Sequence, residues 1–191
     1  MQPDKPRYEY RAWGPFPELP QPDDEAWGEE TYLIPLGLWS ADIKIRGDAL
    51  EIKDLLADRG GLQLWCPAAR LAFPIPALTL ERELMTRIKI GQPLRRELYG
   101  PCEIMEDIVE ARRNVAAVRL RKRRRLFEHA GCRAETAEVE VAGKRLTTAA
   151  AEHERPEFVA DAAHRMGLDR FPNAAYVAAL ARLVPQLQAA G

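Results

Sequence analysis

The sequence has little cysteine, and the three cysteines present are not spaced for a metal site or a disulfide framework. Cys66, Cys102 and Cys132 are odd in number and far apart, and the 191 residues contain no Cys-x-x-Cys pair. This spacing argues against a zinc knuckle and against a small disulfide-stapled domain. Three buried, reduced thiols in a cytoplasmic protein are the simpler interpretation.

Long apolar runs and compact catalytic motifs are also missing. No run approaches the roughly 18 apolar residues of a membrane-spanning helix. The first seven residues, 1–7, are polar and lack the apolar segment of a signal peptide. The sequence has no glycine-rich phosphate loop, nucleophile elbow or histidine-rich metal motif. We therefore expect a cytoplasmic protein with no membrane partner.

Neither sign of charge dominates the composition. The chain has 28 Lys and Arg against 29 Asp and Glu, for a net charge of −1. That balance argues against a general nucleic-acid coat protein, whose surface would be basic overall. The 47% hydrophobic and 30% charged residues are typical of a globular protein. We expect one domain over 1–191, with a proline- and acid-rich loop at 15–28 and C-terminal helices at 156–187.

Alternation of polar and apolar residues predicts an antiparallel sheet. A hairpin over 41–56 should turn at Gly47-Asp48. The other predicted strands are 7–13, 31–36, a pair between 62 and 74 interrupted at Pro67, a hairpin of 116–127 with 132–141, and 144–152.

Helical spacing is found in a few segments. Residues 78–88 predict a short helix, whereas 91–114 show no clear pattern. Pro156 suits a first helical position, and Gly167 would end that helix. Asn173 is a candidate N-cap for a second C-terminal helix. Strands first and helices last indicate an α+β fold.

Basic residues alternate along two of the predicted hairpins. Successive strand side chains point to opposite faces, so Lys44, Arg46 and Lys53 share one face with Glu51. The run 119–125 contains six basic residues in seven. As a strand, this run would place Lys122 and Arg124 on one face and Arg119, Arg121, Arg123 and Arg125 on the other.

Two arrangements can explain these charged faces. In an ordinary exposed sheet the charged face meets water and the apolar face packs on the core. In a barrel with a polar interior the cations converge, and glutamates or a bound polyanion must offset their repulsion. Arginine and lysine are natural phosphate ligands for such an interior. A nucleic-acid surface at 119–125 is a third interpretation, with Phe127 as its single nearby aromatic residue.

Several short segments, taken in order, resemble a known family. They are Glu9-Tyr10-Arg11, Lys44-Ile45-Arg46, Leu50-Glu51-Ile52-Lys53, Lys122-Arg123-Arg124 with Phe127, Ala134-Glu135, Ala149-Ala150-Ala151-Glu152, Gly167-Leu168 and Pro172-Asn173-Ala174-Ala175-Tyr176. Their order and spacing resemble the CYTH superfamily, the triphosphate tunnel metalloenzymes, over residues 7 to about 184.

The resemblance implies an eight-stranded antiparallel β-barrel, or tunnel, with helices packed outside it and a C-terminal helical pair. It implies a ligand that is triphosphate, polyphosphate or a nucleotide triphosphate, held by Arg11, Lys44, Arg46, Lys53, Lys122 and Arg124. It further implies Mg²⁺ or Mn²⁺ at Glu9, Glu135 and Glu152. Glu9 and Glu152 would then be the catalytic carboxylates of a metal-dependent phosphohydrolase.

The sequence departs from the family pattern mainly in its carboxylates. Arg11 stands where the first-strand motif has its second glutamate, and Trp13 stands at the lysine position of that motif. Ala150 takes one of two acidic positions in the last strand. The residues expected to bind the anion therefore match the family pattern better than those expected to bind the metal. A catalytically weak polyphosphate- or nucleotide-binding protein is the alternative, and a nucleic-acid-binding protein is the less favoured one.

Overall fold

Ten strands and four helices make up the described chain. The structure, a computed structural model, describes residues 5–21, 27–37, 39–91, 93–111 and 114–185. The strands are β1 (Arg7–Trp13), β2 (Gly28–Pro35), β3 (Ala41–Arg46), β4 (Ala49–Arg59), β5 (Leu62–Ala72), β6 (Ile75–Pro76), β7 (Leu98–Tyr99), β8 (Val115–His129), β9 (Cys132–Val141) and β10 (Lys144–His153).

Eight of these strands close into an antiparallel barrel. Their order around it is β1-β10-β9-β8-β2-β3-β4-β5, with β5 pairing back onto β1. The short strands β6 and β7 pair separately. The predicted α+β fold built on an eight-stranded antiparallel barrel is confirmed.

The predicted strand pair between residues 62 and 74 is wrong, because one strand runs through Pro67. β5 pairs with β4 along its whole length, and the register shifts where Ile52 faces Ala69 but Lys53 faces Pro67. A bulge tolerates proline at this point, because proline has no backbone N–H to donate to the neighbouring strand. The hairpin turns at Gly60-Gly61, whose φ angles of 62° and 79° are easily reached only by glycine.

The helices are short and follow or interrupt the strands. They are α1 (Ala77–Leu80), which continues as a π-helix over Glu81–Met85; α2 (Pro101–Ile104), which continues as a π-helix over Met105–Glu110; α3 (Pro156–Arg165); and α4 (Tyr176–Ala181). A 3₁₀ turn, Leu168–Arg170, lies between α3 and α4. The helix predicted over 78–88 is therefore present as α1 and its π-helical continuation.

Asn173 does not cap the second C-terminal helix, so that prediction is wrong. Ala175 precedes the first residue of α4. The Asn173 side chain instead accepts a hydrogen bond from the Arg11 backbone N–H and donates to the carbonyls of Glu9 and Gly61. Those three backbone groups compete successfully with the helix terminus for the carboxamide.

Apolar packing covers the outside of the barrel and fills one of its ends. Outer-face residues such as Ile43 and Leu50 pack under α1 and α2, and alanines of β10 pack under α3. At one end of the interior, β2, β8 and β9 present apolar side chains that α4 contacts with Val177 and Leu180. The helix α4 therefore fills that end of the barrel, whereas the other three helices lie against its outer wall.

Three expectations about individual segments have separate outcomes. Of the three cysteines expected to be buried, Cys132 is buried, Cys66 is half-buried and Cys102 is exposed, and all three are free thiols. Part of the loop at 15–28 and the last two residues of the helical segment at 156–187 lie outside the described residues. Among the described helices, none has the length and apolar character needed to cross a membrane.

Candidate functional site

The end of the barrel opposite α4 leads into a charged cavity of about 770 Å³. This volume is typical of ligand-binding sites, which span roughly 300–1,000 Å³. Ten basic side chains line the cavity against six acidic ones, so it is positive although the whole chain is not. The basic residues are Lys5, Arg7, Arg11, Lys44, Arg46, Lys53, Arg70, Lys122, Arg124 and Arg133, and the acidic ones are Glu9, Asp42, Glu51, Glu128, Glu135 and Glu152.

All six residues predicted to bind phosphate line this cavity, and they come from four strands. Arg11 lies on β1, Lys44 and Arg46 on β3, Lys53 on β4, and Lys122 and Arg124 on β8. Arg11 and Lys122 are buried near α4, whereas Lys53 and Arg124 are exposed towards the opening. The alternative of an exposed open sheet is wrong, because the described strands close the barrel around these side chains.

A buried carboxylate, Glu30, holds three of these cations together. Its oxygens lie 3.3 Å from Lys44 Nζ, 3.5 Å from Lys122 Nζ and 3.8 Å from an Arg46 terminal nitrogen. Burial alone would raise the pKa of Glu30, but Lys122 and Lys44 lower it below its ordinary value. Glu30 stays ionised and fixes the positions of the three cations.

Burial also shifts the pKa of the deepest lysine. Desolvation lowers the pKa of Lys122 to about 8, because few water molecules can reach its ammonium group. The neighbouring cations Lys44 and Arg11 act in the same direction, and Glu135 and Glu30 oppose them. Lys122 therefore titrates near physiological pH, and an anion in the cavity would favour its charged form.

Glu51 organises the cations nearer to the opening. One of its oxygens accepts a hydrogen bond of 2.7 Å from Arg46, and the other lies 3.9 Å from Lys44 Nζ. Arg70 also reaches Glu51, at 3.4 Å. Glu51 shares the inward face with Lys44, Arg46 and Lys53, as the alternation over residues 41–56 predicted.

Arg11 lies between two carboxylates on the opposite wall. Its Nε donates to Glu9 Oε1 at 2.9 Å, and its Nη1 donates to Glu135 Oε1 at 3.0 Å. Glu135 also pairs with Arg124 at 3.3 Å. Burial alone would raise the pKa of Glu135, but Arg11, Lys122 and Arg124 lower it to about 2.

Glu152 lies near the opening and is paired with two other arginines. It is 3.4 Å from Arg133 Nε and 3.7 Å from an Arg7 terminal nitrogen. In the register of β1 and β10, Glu152 faces Glu9 directly. The three predicted metal ligands therefore all line the cavity, but each of them is already paired with at least one arginine.

This arrangement does not fit a resident divalent ion. Within the described ranges, no group of three or more histidine, cysteine or acidic side chains is placed to hold a metal ion. Glu9 and Glu135 each direct a carboxylate oxygen at the Arg11 guanidinium. A metal ion would need those same oxygens as ligands. The structure supports neither Mg²⁺ nor Mn²⁺ in particular at Glu9, Glu135 and Glu152.

An aromatic floor separates the charged cavity from the apolar end of the barrel. The Tyr176 ring of α4 lies 4.7 Å from both the Arg11 guanidinium and Lys122 Nζ. It stacks on Tyr32 with ring centroids 5.4 Å apart. Among the described residues, the Tyr176 hydroxyl and the Trp65 indole N–H find no hydrogen-bond partner, although both residues line the cavity.

The segment before α4 positions this floor beneath Arg11. The Ala174 N–H donates to the Arg11 carbonyl at 2.9 Å, and the Trp13 indole N–H donates to the Ala174 carbonyl at 2.7 Å. Asn173 adds its bonds to β1 and to the turn between β4 and β5. Tyr176 was identified from the sequence only as part of the C-terminal segment that resembles the CYTH superfamily, and no local pattern indicates its contacts with the cations.

Glu30 is another residue that the sequence interpretation missed. The predicted second strand began at residue 31, whereas β2 begins at Gly28. The available signal was alternation, because Glu30 and Tyr32 lie on one face of β2 and both reach Lys44. An earlier start for the strand would have placed Glu30 in the barrel interior.

The other basic face of β8 points outward and is paired with acidic residues. Arg121 lies 3.6 Å from Glu140, and Arg123 lies 2.9 Å from Glu138. The Trp27 ring lies within 6 Å of both of these guanidinium groups. Acidic residues of β9 thus offset part of the positive charge that a nucleic-acid surface would need.

Comparisons with known proteins give matches in structure but none in sequence. No protein-family model matches the chain, and no curated protein matches it. A crystal structure of an adenylate cyclase candidate from Bacillus halodurans matches with 10% identity and a TM-score of 0.44, covering 79% of this chain and 81% of that one. An adenylyl cyclase candidate from Hippeastrum, described with a dominant triphosphatase activity, matches with 12% identity and a TM-score of 0.43, covering 85% and 88%.

The fold itself agrees with the resemblance seen in the sequence. Eight antiparallel strands close into a barrel, and alternate side chains fill its interior with lysine, arginine and glutamate. Helices α1 to α3 cover the outer wall, and the segment 172–176 closes one end. The chain therefore has the closed eight-stranded antiparallel barrel that the resemblance to the CYTH superfamily implied.

Proposed function

We propose that the barrel interior binds a short chain of linked phosphates. The ligand would be inorganic triphosphate, polyphosphate or the triphosphate group of a nucleotide. The observation that carries this proposal is the convergence of Arg11, Lys44 and Lys122 from three different strands at the inner end of one cavity.

Electrostatics favours a ligand with several negative charges. The glutamates of the cavity offset only part of its positive charge, because basic residues outnumber acidic ones among the lining side chains. A cleft lined by one sign of charge concentrates ligands of the opposite sign. Arginines inside it add directional hydrogen bonds to phosphate oxygens, which are stronger than those between neutral groups. A linear polyphosphate can contact cations on opposite walls at once.

Binding is better supported than hydrolysis. The carboxylates Glu9 and Glu152, which the resemblance implies as catalytic, are held by Arg11 and by Arg7 with Arg133. Carboxylate oxygens that face guanidinium groups in this way are not directed at an attacking water or at a metal ion. A binding protein is therefore our proposal, and metal-dependent hydrolysis is an outcome that its test can detect. A cytoplasmic location, expected from the sequence, is part of the same proposal.

Calorimetric titration with tripolyphosphate tests this function. We expect binding that weakens with added salt and that is much tighter than for orthophosphate. Lys44→Gln should weaken it at least tenfold, or about 1.4 kcal/mol, because Lys44 is largely buried and faces the cavity. Arg119→Gln, an exposed position on β8, is the control and should leave the affinity unchanged. Equal losses in both variants, or no binding at all, would contradict the proposal.

Two further assays separate the alternatives. Phosphate release from tripolyphosphate or nucleotides with Mg²⁺ or Mn²⁺, abolished by Glu152→Ala, would identify a phosphohydrolase instead of a binding protein. Salt-sensitive binding of long single-stranded nucleic acid that tripolyphosphate does not displace would identify the outer face of β8 as the functional surface.

A further inference from the structure

Arg11 occupies the position between carboxylates that a bound cation would need. Its guanidinium bridges Glu9 and Glu135 at 2.9 and 3.0 Å, and its side chain is only 8% exposed. The Tyr176 ring lies on one side of it, and the Thr148 hydroxyl is 3.5 Å from Nη1. The Arg11 backbone N–H is held by Asn173. Arg11 is thus fixed in place by both its backbone and its side chain.

The neighbouring strand leaves room for this arginine. Ala150 on β10 lies directly between Arg11 on β1 and Glu135 on β9 in the barrel register. Because alanine has the smallest side chain after glycine, the guanidinium can cross β10 and reach Glu135. A larger or acidic residue at position 150 would occupy the space that Arg11 crosses.

A divalent ion would have to displace this guanidinium. Both oxygens of Glu135 face arginines, Oε1 towards Arg11 and Oε2 towards Arg124. A divalent ion held by Glu135 would lie close to both guanidinium groups, and like charges repel strongly where water is scarce. Arg11 also keeps a donor for the ligand, because its Nη2 bonds to no group among the described residues while Nε and Nη1 hold the carboxylates.

We propose that Arg11 is the resident cation of this site and that the ligand it takes is the metal-free polyphosphate anion. This inference rests on the proposed function and specifies the form of the ligand. The side chain supplies one fixed positive charge and N–H donors, where an ion would supply two positive charges and open coordination positions. Binding by this chain should therefore not require Mg²⁺ or Mn²⁺.

The test compares tripolyphosphate binding with EDTA and with saturating Mg²⁺. For the wild-type protein, we expect an affinity in EDTA that is equal to or higher than that in Mg²⁺, because Mg²⁺ competes for the free anion. Tightening of more than threefold by Mg²⁺ would overturn the inference but leave the proposed function intact. Absence of binding under both conditions would overturn the proposed function and this inference with it.

Removal of the Arg11 cation provides a second test of this inference. Arg11→Gln leaves Glu9 and Glu135 without their shared cation, so tripolyphosphate affinity in EDTA should fall at least tenfold and Mg²⁺ should restore part of it. Arg121→Gln, on the outer face of β8, is the control and should respond to Mg²⁺ as the wild type does. Circular dichroism establishes that each variant is folded. A folded Arg11→Gln protein with unchanged affinity in EDTA would contradict the role of Arg11.

Discussion

Single side chains in the cavity take their charge states from their immediate neighbours. Lys122 is buried and the Glu135 side chain is only 12% exposed, but their pKa values are shifted for different reasons. For Glu135, three cations overcome the desolvation that would otherwise favour the neutral acid. For Lys122, desolvation is the largest influence and lowers the pKa of the ammonium group.

The pairing of Glu135 predicts a specific loss of stability in acid. The pKa of Glu135 is about 2 in the folded protein and 4.5 ordinarily. Its contribution is therefore present above about pH 4.5 and is lost as the pH falls through 2. Between pH 5 and 2, the free energy of unfolding of the wild type should fall by about 3 kcal/mol more than that of Glu135→Gln. Urea denaturation at several pH values measures this difference.

The control for the acid experiment lies on the same strand. Glu140→Gln changes a carboxylate on the outer face of β9, where Glu140 pairs with Arg121 and Arg145. If Glu135→Gln and the wild type lost stability in parallel between pH 5 and 2, the ion pairs assigned to Glu135 would be wrong.

Lys122 predicts how ligand binding depends on pH above neutrality. Its pKa of about 8 means that the cavity loses one positive charge as the pH rises from 7 to 9. An anion favours the protonated lysine. Between pH 7 and pH 9, tripolyphosphate affinity in EDTA should therefore fall about tenfold more in the wild type than in Lys122→Arg. Titration of the ligand itself is common to both proteins. The same pH dependence in both would exclude Lys122 from the binding site.

At the scale of whole elements, strand alternation predicted most of the site. The period of two put Lys44, Arg46 and Lys53 on one face and Lys122 with Arg124 on another. The family resemblance added Arg11 and implied that these faces point inward, and all six cations line the cavity. Alternation is a local property, so the sequence alone can show it. Alternation cannot show whether a sheet closes, and for that reason an exposed sheet remained open as an interpretation.

Other parts of the site depend on long-range contacts that leave no local pattern. Tyr176 has the spacing of a core residue, and only the docking of α4 into the barrel brings it under Arg11 and Lys122. Asparagine is a common N-cap residue, but the hydrogen-bond partners of Asn173 lie more than 100 residues away in the sequence. The bridging role of Arg11 depends on two other strands, β9 and β10.

Asn173 predicts a link between stability and binding. Asn173→Ala removes three hydrogen bonds that join β1, the β4–β5 turn and the segment before α4. We expect a loss of about 2 kcal/mol in the free energy of unfolding and a weaker affinity for tripolyphosphate, because the Tyr176 floor is no longer held against β1. Urea denaturation and calorimetric titration measure the two effects.

A second amide side chain supplies the control for Asn173. Among the residues that the structure describes, Gln21 donates within its own loop, to the carbonyls of Phe16 and Leu19. Gln21→Ala should cost less than about 1 kcal/mol and should leave tripolyphosphate affinity unchanged. If the two alanine variants behaved alike, the long-range bonds of Asn173 would not organise the site.

At the scale of the whole molecule, the barrel is filled at one end and open at the other, and its outer wall, filled end and open end differ in polarity. Its outer wall is covered by apolar packing under α1 to α3, one end is filled by α4, and the other end opens into the charged cavity. The net charge of the chain is close to zero, so composition alone does not reveal this cavity. The cavity is positive because lysines and arginines of several strands face inward together.

A crystal structure of the protein grown with tripolyphosphate and EDTA tests the central claim most directly. We predict a phosphate chain inside the barrel, with oxygens within hydrogen-bond distance of Arg11, Lys44 and Lys122. Phosphates bound only on the outer face of β8, with the interior left to the ion pairs of Glu30 and Glu135, would contradict it.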